Sequence, residues 1–457
     1  MRKESFEYRC GTGILKDKRV LYLSIVIYPV QYDLTKQSIT WIDSVDYSIQ
    51  YKLPDEQFLP KKKYETLIIS PSNFSDELQP LLQLSNLTYL INLSEIPKLG
   101  RDAQENIKYF IKNAIEQWEI SNVLLVGGYH QIPCRMVHVD DIRSVIMGEK
   151  NFISDLYYAD IYDEKGSFCS WDSNNNGLYG EYKLFSHSPV DELDLYPDVH
   201  LGRFACTSEK DVSTVVNKTI QYVTDNSYES SWFQHVIAIG GDTFTEDIAG
   251  ISEGEKINDA IIKIMASFSS TKLWGSNDQL KHAEDISNEI ENGAGFVFFE
   301  GHAGSNSYRT HPNKARNQWI PVEWYRTYHV NSLRNEKKLP IITINACNTC
   351  KFQVDHTSLG WSFIVNPHGG GIASIGMTCL SWIYPGVFCT QGLGGEIHQN
   401  AYKAYMNGAE TFGEFWSSSI IQYLNSHPWS LSVYDYKTIE SWQPFGYPSL
   451  KIASVME

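Results

Sequence analysis

Two short segments place reactive side chains where chemistry can use them. In FFEGHAGSN, His302 follows an apolar run and opens a turn of small residues; in IITINACNTC, Cys347 also closes an apolar run. A thiol becomes a nucleophile at neutral pH only when a base or a positive field favours the thiolate, and imidazole is the usual supplier. Taken singly, each residue also reads as an ordinary buried cysteine or turn histidine. Taken together at two strand ends, they suit a nucleophilic thiol with a histidine base. Glu300 stands two residues before His302, so strand periodicity places both side chains on one face and a carboxylate beside the thiol. Pairing with a local cation such as Arg309 is the plainer role for it. Cys350 forms a C-x-x-C with Cys347, which also reads as a thiol–disulfide redox pair.

A second constellation carries oxygen donors. In WDSNNNGLYGE, Asp172, Asn174 and Asn176 alternate before Gly177, and Glu181 follows. Hard donors at this spacing suit a structural Ca²⁺, with Asp160 and Asp163 completing the shell. Glu181 falls two residues short of the twelfth position of an EF-hand loop, and a solvated Asn-Gly turn is the simpler alternative. His130, His138, His311, His356 and His368 show no metal-ligand spacing, and the Gly369–Gly371 run lacks the lysine and hydroxyl of a phosphate loop. No cofactor is expected in the chemistry itself.

The elements that position these residues follow from apolar periodicity. YETLIIS, LTYLINL and VLLVGG read as short buried strands. A helix over about Asp102 to Glu119 puts Ile107, Phe110, Ile111, Ala114, Ile115 and Trp118 on one face. A second helix starts near Ser208 with Asp211 as its capping partner. After the polar break at Asn226–Ser231, HVIAIGGD, GFVFFEGH, PIITINAC and GIASIGMT alternate with helical stretches. Continuous apolar strands alternating with helices imply a mostly parallel sheet covered on both faces, with the ligand site beyond the strands' carboxyl ends. His302 and Cys347 fall there. Upstream, Val20 to Tyr51 reads as a small β unit, closed by the basic junction Leu59-Pro60-Lys61-Lys62-Lys63.

Length and charge bound the partners. At 457 residues the chain calls for two or three domains, and a net charge of -16 without an extended basic surface argues against a nucleic-acid binder. No run spans a bilayer: Val20 to Val30, the most apolar, is short and broken by Ser24 and Pro29. The segment MRKESFEYRC lacks the apolar core of a secretory signal, and the eight cysteines give no framework spacing. Compartment and oligomeric state stay open.

The ordered set of motifs resembles the gingipain-type peptidases of the caspase-like clan. The match runs through YPVQYD, YYADIYD, WDSNNNGLYGE, PDVHLGR, Gly301-His302, Ala346-Cys347, Phe352 and FGYPSL, and departs from the family at Ala303 and Cys350, where glycine is common. The resemblance implies an α/β fold with a caspase-like parallel-sheet catalytic domain, preceded by a second α/β subdomain and a small N-terminal β unit. The corresponding divisions are a propeptide-like unit over 1–60, an α/β subdomain with the calcium-type loop over 61–230, and the catalytic subdomain over 231–457. It further implies a cysteine endopeptidase acting on proteins or peptides in an extracellular setting, through an acyl-enzyme in which Cys347 attacks, His302 moves the proton and the backbone N–H groups of Ala303 and Cys347 hold the oxyanion. Asp242 falls where similar peptidases carry an acid that orients the histidine, with a helix N-cap as its alternative role. Ser381 and Trp382 fall at the aromatic cover of the primary specificity pocket, and Glu253 near the helix position of the specificity acid in arginine-specific relatives. An acid under an aromatic lid suits cleavage after Arg or Lys, which would make the Lys61-Lys62-Lys63 junction a self-processing site. Two rival functions remain: a silent binding module on a peptidase scaffold, and an oxidoreductase using Cys347 and Cys350.

Overall fold

The computed structural model describes residues 6–33, 36–50, 63–141, 149–183, 188–247, 250–353, 357–428 and 431–453. Its frame is one ten-stranded sheet in the order Ser269–Trp274, His235–Gly240, Phe296–Glu300, Ile341–Asn345, Ala373–Met377, Trp442–Phe445, His200–Phe204, Asn122–Val126, Thr66–Ser70, Thr88–Asn92. The inner strands are apolar on both faces and fully buried, as in Phe296–Glu300 and Ile341–Asn345. Such runs are stable only when helices cover both faces. The expected strands and the two helices form where the apolar pattern places them. Ala103–Trp118 is capped by the Asp102 carboxylate on the Glu105 N–H, a contact worth about 1 kcal/mol. Glu209–Thr224 begins with the Ser208–Asp211 capping box.

The sheet changes direction once. Trp442–Phe445 runs antiparallel to Ala373–Met377 and parallel to His200–Phe204. Every other pairing in this sheet is parallel. The strands of the two halves therefore point in opposite directions, and the carboxyl ends near Cys347 belong to the C-terminal half alone. Buried polar bonds hold the seam. Arg203 donates to Asp155 at 2.5 and 2.8 Å and to the Gly127 carbonyl at 2.7 Å, and Gln443 donates to Asp155 at 2.8 Å. Removing one partner of so dry a pair costs on the order of 3–5 kcal/mol.

The N-terminal β unit is a pair of hairpins, Phe6–Leu15 with Lys18–Ile27 and Val30–Asp33 with Ser38–Trp41. The first docks on the body: Tyr22 stacks on Tyr196 at 5.3 Å, and Thr12 donates to the Asp194 carboxylate. At the basic junction, Leu59 to Lys62 lie outside the described residues; Lys63 donates its N–H to the Trp118 carbonyl. His356 lies outside them too. Among the described residues no helix is long and apolar enough to cross a membrane.

Candidate active site

Parallel pairing sets the height of the two reactive residues. Glu300 and Asn345 are the last register pair of their strands, so His302 and Cys347, each two residues further on, leave adjacent strands at one level. Both line a cavity of about 170 Å³ with Thr243, Phe244, Gly301, Asn345, Leu380, Ser381, Trp382 and Ile383. Glu149 fixes one wall by accepting the Leu380 N–H at 2.8 Å and the Lys351 ammonium at 3.1 Å.

His302 is held by a carbonyl. Its Nε2 donates to the Thr243 carbonyl at 3.1 Å, which puts the ring proton on Nε2 and leaves the Nδ1 lone pair as base. Burial holds the imidazole pKa below its usual value; the Thr243 carbonyl opposes this, and the neighbouring His311 and Arg309 add to it. The resting ring is therefore neutral. Asp242, expected to orient it, is wholly buried, and its carboxylate accepts the Lys314 N–H at 2.8 Å. The ring's partner is thus the backbone one residue beyond the expected acid.

Burial also raises the Cys347 thiol pKa, an effect opposed by the N–H of Ser381, which lies 3.3 Å from Sγ. Thiol and imidazole both rest uncharged. The Cys347 N–H also favours charge on the sulfur. Ala303 opens a short hairpin opposite Tyr308. Cys350 turns the other way: it is fully buried, and Cβ atoms placed on Gly360 or Gly376 would meet its sulfur at 2.5 and 2.9 Å. Its thiol pKa is raised by burial, so it offers no thiolate to Cys347.

The two acids proposed for the specificity pocket part company. Glu300 faces away from the cavity. It accepts Asn345 Nδ2 at 2.8 Å and meets His398 Nδ1 at 2.5 Å, and His398 reaches Thr343 Oγ1 at 2.6 Å. Burial raises the carboxyl pKa and drops that of His398 to about 3, so the dry pair is neutral. This corrects the placement of Glu300 beside the thiol: the alternation of the strand is right, but its face is covered by the helix Leu393–Met406. Nor does Glu300 pair with Arg309. Glu253 lies behind the cavity wall, accepting Thr243 and Phe244 N–H at 3.1 Å each and Gly386 N–H at 2.8 Å. It clamps the segment that holds His302 to the segment after Trp382.

Of the six residues proposed for calcium, four gather about one turn. Asp172 and Asn174 both accept the Asn176 N–H at 2.9 Å, and Asn176 Nδ2 reaches Glu181 at 2.8 Å. Those oxygens fit a hard cation in kind, although the Arg101 guanidinium already lies 2.7 Å from Asp172. Asp160 and Asp163 stand apart from this turn: Asp160 accepts Trp171 Nε1 at 2.9 Å, and Asp163 caps its own turn at Lys165 and Ser167. Thr243 and Asn345 are contributors that sequence reasoning missed, and Ser381, expected at the pocket cover, also reaches the thiol through its N–H, a role the sequence did not suggest. Two act through the backbone, which carries no residue signature.

Comparison with known proteins gives this geometry its context. The model of Peptidase family C25 matches residues 59–453. Gingipain R2 of Porphyromonas gingivalis is 23% identical over 416 residues, 87% of this chain and 47% of that protein. Gingipain R1 of the same organism is 23% identical over 279 residues, 58% of this chain and 25% of that protein. The chain thus spans less than half the length of these curated relatives. The crystal structure of the Arg-specific cysteine proteinase gingipain R superposes with a TM-score of 0.62 at 18% identity, covering 88% of this chain and 80% of that one. The complex of Porphyromonas gingivalis RgpB pro- and mature domains gives 0.59 at 17%, covering 84% and 79%. The likeness at that identity is one of fold.

Proposed function

The chain is a gingipain-type member of peptidase family C25, and from that premise we propose that it is a cysteine endopeptidase in which Cys347 attacks and His302 is the base. One observation carries this reading: His302 gives Nε2–H to the Thr243 carbonyl and keeps Nδ1 for the thiol that shares its cavity. On attack the thiol proton passes to Nδ1 while sulfur bonds to the carbonyl carbon; the imidazolium then protonates the leaving amine, and water releases the acyl group by the same route in reverse. The amides of Ala303 and Cys347 are the proposed oxyanion donors. The oxidoreductase reading loses its second thiol, since Cys350 faces the core.

Cleavage after Arg or Lys is the finer part of the proposal. Phe244 and Trp382 flank the cavity, suited to the aliphatic stem of a basic side chain, and Glu253 supplies negative charge behind Thr243 and Phe244. The three amides on Glu253 favour a second reading, a large apolar side chain that needs no acid. A thiol-directed probe read by mass spectrometry, run beside a peptide library, tests both levels. Labelling of Cys347 with cleavage after Arg or Lys is expected; labelling of another cysteine overturns the mechanism, and apolar preference overturns only the pocket assignment.

A further inference from the structure

The catalytic histidine has a cationic neighbour that no acid among the described residues balances. Arg309 is the cross-strand register partner of His302, so the two side chains share one face of the small sheet His302–Gly304, Ser307–Thr310, Ile320–Arg326. Its guanidinium carbon lies 3.7 Å from the ring centres of both Trp319 and Trp324. Trp319 touches both the charge and the site, with its ring centre 5.6 Å from that of His302. The slot is built by a bulge: Tyr308 pairs with Tyr325 and Thr310 with Ile320, so the single residue Arg309 faces Pro321 to Trp324. Within that bulge Trp324 takes φ +57°, a conformation that bulky side chains seldom adopt. The Arg326 guanidinium carbon also lies 4.8 Å from the ring centre of Trp324, so two like charges share one aromatic ring.

Among the described residues neither guanidinium makes an ion pair, although the chain carries 54 acids against 38 lysines and arginines. Two stacked faces leave a guanidinium only its edge, which presents N–H donors in the fork that matches a carboxylate. A cation held in place beside a histidine that must protonate the leaving amine sits where the segment beyond the scissile bond departs. We infer that Arg309, clamped by Trp319 and Trp324 and supported by Arg326, is a subsite for a carboxylate on the leaving-group side of the substrate. The inference rests on the peptidase reading above. An acidic side chain in the first or second position after the cut supplies that group; so does the free C-terminus of a short substrate.

The test uses amidated peptides that differ only in Asp, Asn or Lys at those two positions, with one short peptide bearing a free terminal carboxylate. Wild type is expected to show kcat/KM for Asp about 5-fold above Asn and to disfavour Lys, the scale of one solvent-edged charge-assisted bond. Arg309→Gln should bring the Asp/Asn ratio to about one, and Arg309→Lys should restore part of it, which a purely structural role would not do. Preference for the free acid over its amide, without an Asp effect, assigns the site to the terminus. A wild-type ratio of one with no effect of the terminal carboxylate, or a ratio retained in Arg309→Gln, overturns the inference. Binding of the same peptides to Cys347→Ala, read by tryptophan fluorescence, separates this from the peptidase reading. Equal affinity for Asp, Asn and both termini sinks the subsite even if wild type cleaves, and selective binding upholds it even if nothing is cleaved.

Discussion

Asn345 donates to Glu300 at 2.8 Å across neighbouring strands, two residues before Cys347 on one side and two before His302 on the other. Asn345 also accepts Ser381 Oγ at 3.2 Å, and Ser381 N–H lies 3.3 Å from Sγ. A chain of hydrogen bonds thus runs from a buried neutral carboxyl to the Cys347 thiol. Its task is positional: it fixes the spacing of the two strand ends and the wall that carries Ser381.

Because Glu300 is neutral and acts as both donor and acceptor, an amide can replace it. Glu300→Gln is expected to keep kcat within a few-fold, while Glu300→Ala, which strands Asn345 and His398, should lose about 2–4 kcal/mol of stability. Glu253→Gln is expected to reduce kcat/KM for basic substrates by about tenfold or more relative to apolar ones. Melting curves and matched substrate pairs check both. Loss of basic preference in Glu300→Gln alone would reverse the assignment.

Cys347→Ala should abolish activity, and Cys350→Ala should retain a substantial part of it, since only the first thiol shares a cavity with His302. His302→Ala should match Cys347→Ala, because members of one catalytic unit do not add. Steady-state rates on one peptide suffice.

The pH profile follows from two opposite shifts. His302 is depressed, so it stays neutral to lower pH than a free imidazole, and activity should fall only below the usual imidazole range. Cys347 is raised, so the alkaline limb, where the thiol proton is lost and none remains for the leaving amine, should lie above the ordinary thiol range. A broad plateau in kcat/KM is expected; an acid limb above the normal imidazole value would contradict it.

Calcium is expected to raise the melting temperature by mass action on the native state, and a chelator to lower it. Arg101→Gln, by freeing Asp172 from its guanidinium, should strengthen the response. An unchanged curve in both proteins would leave the segment as a turn.

Self-processing at Lys61 to Lys63 predicts a new N-terminus after incubation of wild type and none in Cys347→Ala. Sequencing the two proteins side by side reads this directly, and a full-length wild type that cleaves peptides would exclude it.

Much of this was legible from residue order. Phe296–Glu300 and Ile341–Asn345 are continuous apolar runs, and a reactive residue just past such a run has to emerge at a sheet edge. What escaped was whatever depends on a distant partner. Alternation assigns Glu300 to a face but not what covers it, and His398 comes nearly a hundred positions later. Thr243 works through its carbonyl, which any residue would supply. The reversal at Trp442–Phe445 is invisible locally, because a short strand containing Pro444 reads as well for a turn.

That reversal bears on when, during synthesis, the candidate site can assemble. Trp442–Phe445 is the last of the ten strands to leave the ribosome, yet it sits between the halves. A nascent chain that already contains His302 and Cys347 still lacks the neighbour of Ala373–Met377, with its buried Trp442 and the Gln443 bond to Asp155. Chains arrested before Trp442 should therefore react poorly with a Cys347-directed probe, and reactivity should appear once Trp442–Phe445 has been made. The order of translation then times the assembly of the site.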